Sequence, residues 1–274
     1  MSFIITVCIV NYNSSEFVLN TLYCLNKLTK NNYKVIIRDN NSKIKDFLNL
    51  KNNIDEFSNI ELFRVEDFKY TGSMAHAIAI NELINKIDTK YGVILDADCT
   101  FLHDNWDNIL INEIDEKCPI IGTQAPNTPN SKKFKDFPLM FALFFNTDIL
   151  KKLNVDFKPT NIKDAKDTGY NLRDTYLENG YEGKIINFRS TRTYKMGPFR
   201  EVICGEYYLE GYDKIFASHF GRGSSLGATK YLKSWKKKFY RIPKIGTYFL
   251  KLKGKREKKK WIKICQELVH NQLI

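Results

Sequence analysis

Four short apolar runs rich in β-branched residues, at positions 3–10, 35–37, 60–65 and 91–95, alternate with stretches of helical period. This alternation constrains the fold more than any other property of the chain. After the first run, Ser14 or Ser15 is placed to cap a helix carrying Phe17, Leu22, Leu25 and Leu28. Before the fourth, Ser73 precedes a pattern with Ala77, Ile80, Ile84 and Ile87 on one side. Apolar strands separated by helices predict an α/β fold, a largely parallel central sheet flanked by helices. The polar stretch between the second and third runs reads as irregular.

At 274 residues the chain can bury a substantial core, and 27% charged residues do not make it a disordered polyelectrolyte. No stretch approaches the roughly 18 apolar residues of a membrane span. The run at 3–10 lacks a basic flank and enters Asn11-Tyr-Asn13 directly, so it reads as a buried strand and not as a leader. A cytoplasmic protein is expected. Cys8, Cys24, Cys99, Cys118, Cys204 and Cys265 show no paired spacing, which predicts reduced core thiols and neither a zinc cage nor a disulfide framework.

Three of the four runs end in polar residues: Asn11 after the first, Arg38-Asp39 after the second and Asp96 after the fourth. In open α/β sheets ligands bind beyond the carboxyl ends of the strands, so these residues point to one nucleotide-sized site at that edge. Asp96-Ala97-Asp98 is the sharpest feature. Alternation puts both carboxylates on the same side, about 7 Å apart in extended backbone. Two like charges there repel unless a cation relieves them, and hard ions such as Mg2+ or Mn2+ take carboxylate and phosphate oxygens. Further on, residues 122–138 read as a long loop and 139–145 as a buried strand. Residues 167–180 read as a helix ending at Gly180, and 187–193 and 215–219 as further strands. His219 ends the last of these and precedes the glycine-rich Gly221-Arg-Gly-Ser-Ser225.

Together these residues resemble the family 2 inverting nucleotide-sugar glycosyltransferases of the GT-A fold. The resemblance rests on Thr6–Glu16, Val35–Ser42, Gly72–Asn81 and the Asp-Ala-Asp motif; it is firm over residues 4–100, looser over 139–225, and lapses in the tail. It implies that Asp39 accepts a hydrogen bond from a uracil or thymine base bordered by Val10, Asn11 and Tyr12. It places Gly72, Ser73, Asp96 and Ala97 beside the donor, with Asp98 as a direct metal ligand and His219 completing the metal shell. Arg222 and Ser224 would reach the diphosphate. The catalytic base falls on Asp167, thirteen residues before Gly180-Tyr181, where Lys166 replaces the acid usual in the family; Asp164 and Asp174 are rivals. His76 could touch a phosphate but reads equally as a solvent-facing helical residue.

Charge divides the chain. Residues 229–274 hold 15 Lys and Arg against Glu257 and Glu267, a balance of +13, which leaves a body of residues 1–228 at −1. The expected organisation is therefore a GT-A domain over 1–228 and a basic, aromatic-rich helical extension over 229–274. Lysines interleaved with Trp235, Tyr248, Phe249 and Trp261 suit an anionic membrane surface, a nucleic acid or an acidic glycan. The resemblance favours a membrane edge, with the protein peripheral on its inner face and no specific nucleic acid bound. It implies a nucleotide-sugar donor, a UDP-sugar first, and a glycan or lipid-linked glycan acceptor of bacterial surface polysaccharide synthesis. Two other readings remain at this point. A nucleotidyltransferase would want a basic phosphate-binding loop that Asn11–Ser15 does not offer, and a nucleic-acid-binding protein would act through the tail.

Overall fold

The computed structural model describes residues 2–55, 57–66, 69–126, 133–160, 167–223, 225–226 and 245–273. Its first half follows the alternation: β1 (Ile5–Asn11), α1 (Ser15–Leu28), β2 (Tyr33–Asp39), α2 (Ile44–Ile54), β3 (Ile60–Arg64), α3 (Gly72–Asn85) and β4 (Tyr91–Asp96). Then come β5 (Cys99–Phe101), α4 (Trp106–Glu113), β6 (Ile120–Thr123), β7 (Leu139–Asn146), α5 (Thr147–Lys152) and α6 (Asn171–Glu178). The chain continues through β8 (Lys184–Ser190), β9 (Gly205–Tyr208) and β10 (Ala217–His219), with a long last helix, α7 (Ile245–His270).

The strands form one sheet in the order β3-β2-β1-β4-β7-β6-β8-β9-β10-β5. The parallel pairing predicted from the alternation holds from β3 to β4. Beyond β4 the neighbours are antiparallel except for β6 with β8. Successive side chains of a strand point to opposite faces, and two cores result. Ile5, Val7 and Ile9 of β1 and Val93 and Leu95 of β4 join one core with Phe17, Leu25 and Trp106. Cys8 and Ile94 join the other with Ala77, Ile80, Phe145 and Tyr176. All six cysteines are free and buried, and burial pushes the Cys8 and Cys24 thiols up to about 12.

Four local expectations need correction. The strand read over 187–193 runs instead over Lys184–Ser190, and residues 191–193 form a turn. The supposedly irregular stretch after β2 contains α2, which buries only Leu50 and Ile54, too few apolar positions to declare a helical face. Residues 122 and 123, read as loop, belong to β6. The helix expected from 167 starts only at Asn171. Gly169 holds φ +72°, and a Cβ there would lie 2.0 Å from Met140 Sδ, so the chain before Asn171 is a turn.

The last helix lies on α1. Trp261, Cys265 and Val269, at a spacing of four, are buried in the first core. Trp261 Nε1 donates to Ser218 Oγ at 2.9 Å, and its ring meets Phe17 at 5.7 Å in an edge contact. Trp261→Ala is expected to cost about 3–5 kcal/mol, the range for emptying a buried aromatic site, read as a lowered urea midpoint with unchanged slope.

Candidate active site

Register brings the three polar strand ends level. Asn11 pairs with Asp39 and Val10 with Asp96, so the carboxyl ends of β2, β1 and β4 stand side by side. Asp39 is fully buried. Its carboxylate accepts from Asn11 Nδ2 at 2.8 Å and from the Ser42 N–H at 3.0 Å, and Arg64 Nη1 lies 3.5 Å away. A carboxylate offers about four acceptor positions, and these two hydrogen bonds leave acceptor capacity on Asp39. Tyr12 is 52% exposed, its ring at the rim of this edge.

Residues 97 and 98 turn the chain from β4 into β5, which pairs antiparallel with β10 so that His219 faces Cys99. That pairing brings a residue 121 positions further along the chain beside Asp98. His219 Nε2 lies 3.2 Å from Asp98 Oδ1 and 3.6 Å from Asp96 Oδ2. One ligand atom from each of Asp96, Asp98 and His219 falls within 4.8 Å of the others. Two carboxylate oxygens and an imidazole nitrogen are a donor set for Mn2+ or Mg2+. The Phe141 ring, with its centroid 4.4 Å from that of His219, backs the cluster.

The two carboxylates differ. Burial raises the Asp96 carboxyl above its usual range, against the opposing pull of His76 and His219. Burial also acts on Asp98, but the charge and hydrogen bond of His219 and two backbone donors outweigh it and hold Asp98 at about 2. Those donors are the N–H groups of Arg222 and Gly223, at 2.8 and 2.7 Å from Asp98 Oδ2. Asp98 is thus fixed as an anion by the turn after β10.

Asp167 comes to the same edge from another element. Thr168 Oγ1 donates to the Ser73 carbonyl at 2.9 Å, which joins the 167–169 turn to the start of α3. Burial raises the Asp167 carboxyl, yet a hydrogen bond with the Ser73 side chain, the Thr168 N–H at 2.8 Å and the charges of Lys133 and His76 bring it below the usual range. Gly72 opens α3 at φ +58°, a conformation that favours glycine.

The sequence-derived set therefore largely converges. Val10, Asn11, Tyr12, Asp39, Asp96, Ala97, Asp98 and His219 share one edge, and Gly72, Ser73 and Asp167 reach it from α3 and the 167–169 turn. Arg222 meets Asp98 through its backbone, while its guanidinium pairs with Glu257 of α7 and donates to the Ile203 carbonyl at 2.9 Å. Ser224 and Asp164 lie outside the described residues, as do the basic residues of 227–244. Asp174 is on the exposed side of α6, paired with Arg173 at 3.0 Å.

Two neighbours had little signal in the sequence. His76 Nε2 stands 3.6 Å from Asp96 Oδ1; only its place in the first turn of a helix beginning at Gly72 hinted at this. Lys133 acts on both Asp96 and Asp167 from the loop after β6, where no periodicity singles out a residue.

The profile described as "Glycosyl transferase family 2" matches residues 6–178. No curated protein matches the sequence. Among solved structures, the mannosyltransferase PcManGT from Pyrobaculum calidifontis, in complex with GDP-Man and Mn2+, is similar with a TM-score of 0.52 and 16% identity over 66% of this chain and 54% of that one. TarS 1–349 of S. aureus in complex with UDP is similar with a TM-score of 0.50 and 16% identity over 67% of this chain and 58% of that one. The match thus spans little more than half of either neighbour, and at these identities it is a likeness of fold.

Proposed function

The chain belongs to glycosyl transferase family 2, and from that premise we propose that it transfers a sugar, with inversion, from a nucleotide diphosphate sugar to a glycan or lipid-linked glycan. The observation that carries the reading is the Asp96, Asp98 and His219 cluster at the carboxyl ends of the parallel strands. The three residues would hold Mn2+ or Mg2+, which supplies Lewis-acid neutralisation of a departing diphosphate. The backbone N–H groups of Arg222 and Gly223 keep Asp98 ionised and oriented for that task.

The remaining residues divide the work. The edge formed by Val10, Asn11, Tyr12 and Asp39 takes the nucleoside, with an acceptor position of Asp39 meeting a uracil N3–H. Gly72, Ser73 and Ala97 line the donor, and Ser224 follows at the diphosphate; the Arg222 guanidinium, expected there from the sequence, is instead engaged with Glu257 and the Ile203 carbonyl. Asp167 receives the proton of the acceptor hydroxyl as that oxygen attacks the anomeric carbon from the face opposite the diphosphate. The two similar structures carry different nucleotides, GDP-Man and UDP, so the choice of base rests on Asp39, whose acceptor suits the N3–H of uracil or thymine, and a UDP-sugar is the first donor to try. Synthesis of a bacterial surface polysaccharide at the inner face of an anionic membrane is the setting that this acceptor class suits.

A donor panel tests the reading. Thermal unfolding with Mn2+ and UDP-, GDP- or TDP-sugars is expected to rise with a UDP-sugar by several degrees at saturating ligand, and EDTA is expected to remove the rise. A shift with GDP-sugars only would overturn the nucleoside assignment. No shift with any donor would overturn the function.

A further inference from the structure

The last helix carries charge that the donor site does not use. On its inner side Leu250, Trp261, Cys265 and Val269 are buried, and a Cβ on Gly254 would lie 2.0 Å from the Leu226 carbonyl oxygen. At about 100° per residue, Tyr248, Phe249, Lys255, Arg256 and Lys259 fall on the opposite half of the cylinder, Lys251 lies on the flank between the two halves, and all six are exposed. Lys260 and Lys263 also face outward but pair with Glu201 and Glu267. Lys251, Lys255, Arg256 and Lys259 have no acidic partner among the described residues. Tyr248 and Phe249, 60% and 48% exposed, stand at the leading end of this face.

We propose that this face of α7 docks on an anionic lipid bilayer, with the four cations against the headgroups and the Tyr248 and Phe249 rings in the interface. The shape favours a plane. Proteins that hold single-stranded nucleic acid combine cations with stacking rings inside a groove, whereas this is the convex side of a packed helix. Four cations within about 12 Å of helix length can all touch a flat anionic surface together, and aromatic rings beside them suit the headgroup boundary. The first half of α7 also touches the turn that holds Asp98, through Gly254 beside Leu226 and Glu257 paired with Arg222. Docking there holds the proposed donor site about one helix diameter, roughly 10 Å, from the lipid surface. That last consequence rests on the transferase reading. The docking itself needs neither donor nor metal, so its failure is distinguishable from failure of that reading.

The test is donor-free cosedimentation of the full chain with vesicles of equal parts phosphatidylcholine and phosphatidylglycerol, against phosphatidylcholine alone and against a single-stranded RNA oligonucleotide. The wild-type protein is expected to sediment with the anionic vesicles only, and less as salt rises. Joint Lys251→Glu, Lys255→Glu, Arg256→Glu and Lys259→Glu is expected to lower partitioning about 100-fold or more. The same number of reversals at the exposed Lys27, Lys51, Lys152 and Lys214 should lower it far less. Tyr248→Ser with Phe249→Ser keeps every charge and is expected to lower it about tenfold; it decides the matter should the fourfold variant fail to fold. Equal losses in the two fourfold variants, unchanged partitioning of the aromatic variant, or binding of RNA in place of vesicles would overturn the proposal.

Discussion

Asp98→Ala is expected to reduce sugar transfer by at least about 10³-fold, the scale of several kcal/mol of charge stabilisation lost from a departing diphosphate. The same variant should lose the Mn2+-dependent thermal shift with donor, which a general loss of acceptor binding would leave intact. The loss has a structural cost as well. The side chain satisfies the buried N–H groups of Arg222 and Gly223, and leaving such donors unpaired costs about 1–3 kcal/mol. Asp98→Asn separates the two effects, because its amide oxygen still accepts those bonds while the charge is gone. It should fold more stably than Asp98→Ala and be nearly as inactive. Wild-type turnover retained in EDTA would remove the metal from the mechanism.

The depressed carboxyl of Asp98 fixes a sign for acid stability. Its folded value of about 2 lies below the ordinary 3.8, so Asp98 adds stability above that ordinary value. The contribution disappears as pH falls through about 2. In the Asp98→Asn variant, acid unfolding should lose the part of its pH dependence that lies between those two values, measured as denaturation midpoints across an acid series.

Which parts of this arrangement were legible in the sequence follows from how local each signal is. The parallel strands announce themselves by short apolar runs rich in β-branched residues, and Asp39, Asp96 and Asp98 by standing where such runs stop. His219 was visible for the same reason, at the end of an apolar stretch before glycines. The antiparallel half was legible only in β7, β8 and β10. β5 has three residues and β9 four, too short for alternation to register, and the partner of β5 lies far along the chain. The hydrogen bonds that fix Asp98 cross 124 and 125 positions, and no spacing rule finds those. In the tail, the many lysines obscured Trp261, Cys265 and Val269, whose spacing of four marks a buried helical stripe. Charge counting set the tail apart, whereas its apolar residues pack it onto α1.

Asp167→Asn is the other substitution with a large expected effect, a fall in kcat of about 10² to 10⁴-fold with donor affinity retained, the range assigned to a positioned general base. The amide is the same size and still accepts from the Thr168 N–H, so the 167–169 turn and its link to Ser73 should survive. What disappears is the basic oxygen. The Asp167 carboxyl lies below its usual range because the Ser73 hydrogen bond, the Thr168 N–H and the electrostatic pull of Lys133 and His76 together outweigh burial. Ser73→Ala removes the first of these and leaves burial less opposed, so the Asp167 carboxyl should rise. The acidic limb of the kcat profile is then expected to move to higher pH, whatever donor affinity the loss of the Ser73 hydroxyl costs. A shift of that limb in Ser73→Ala, together with its disappearance from the residual activity of Asp167→Asn, assigns the proton to Asp167. Near wild-type turnover in Asp167→Asn would place the base elsewhere and leave the metal cluster untouched, since Asp98 and His219 belong to different elements from the 167–169 turn.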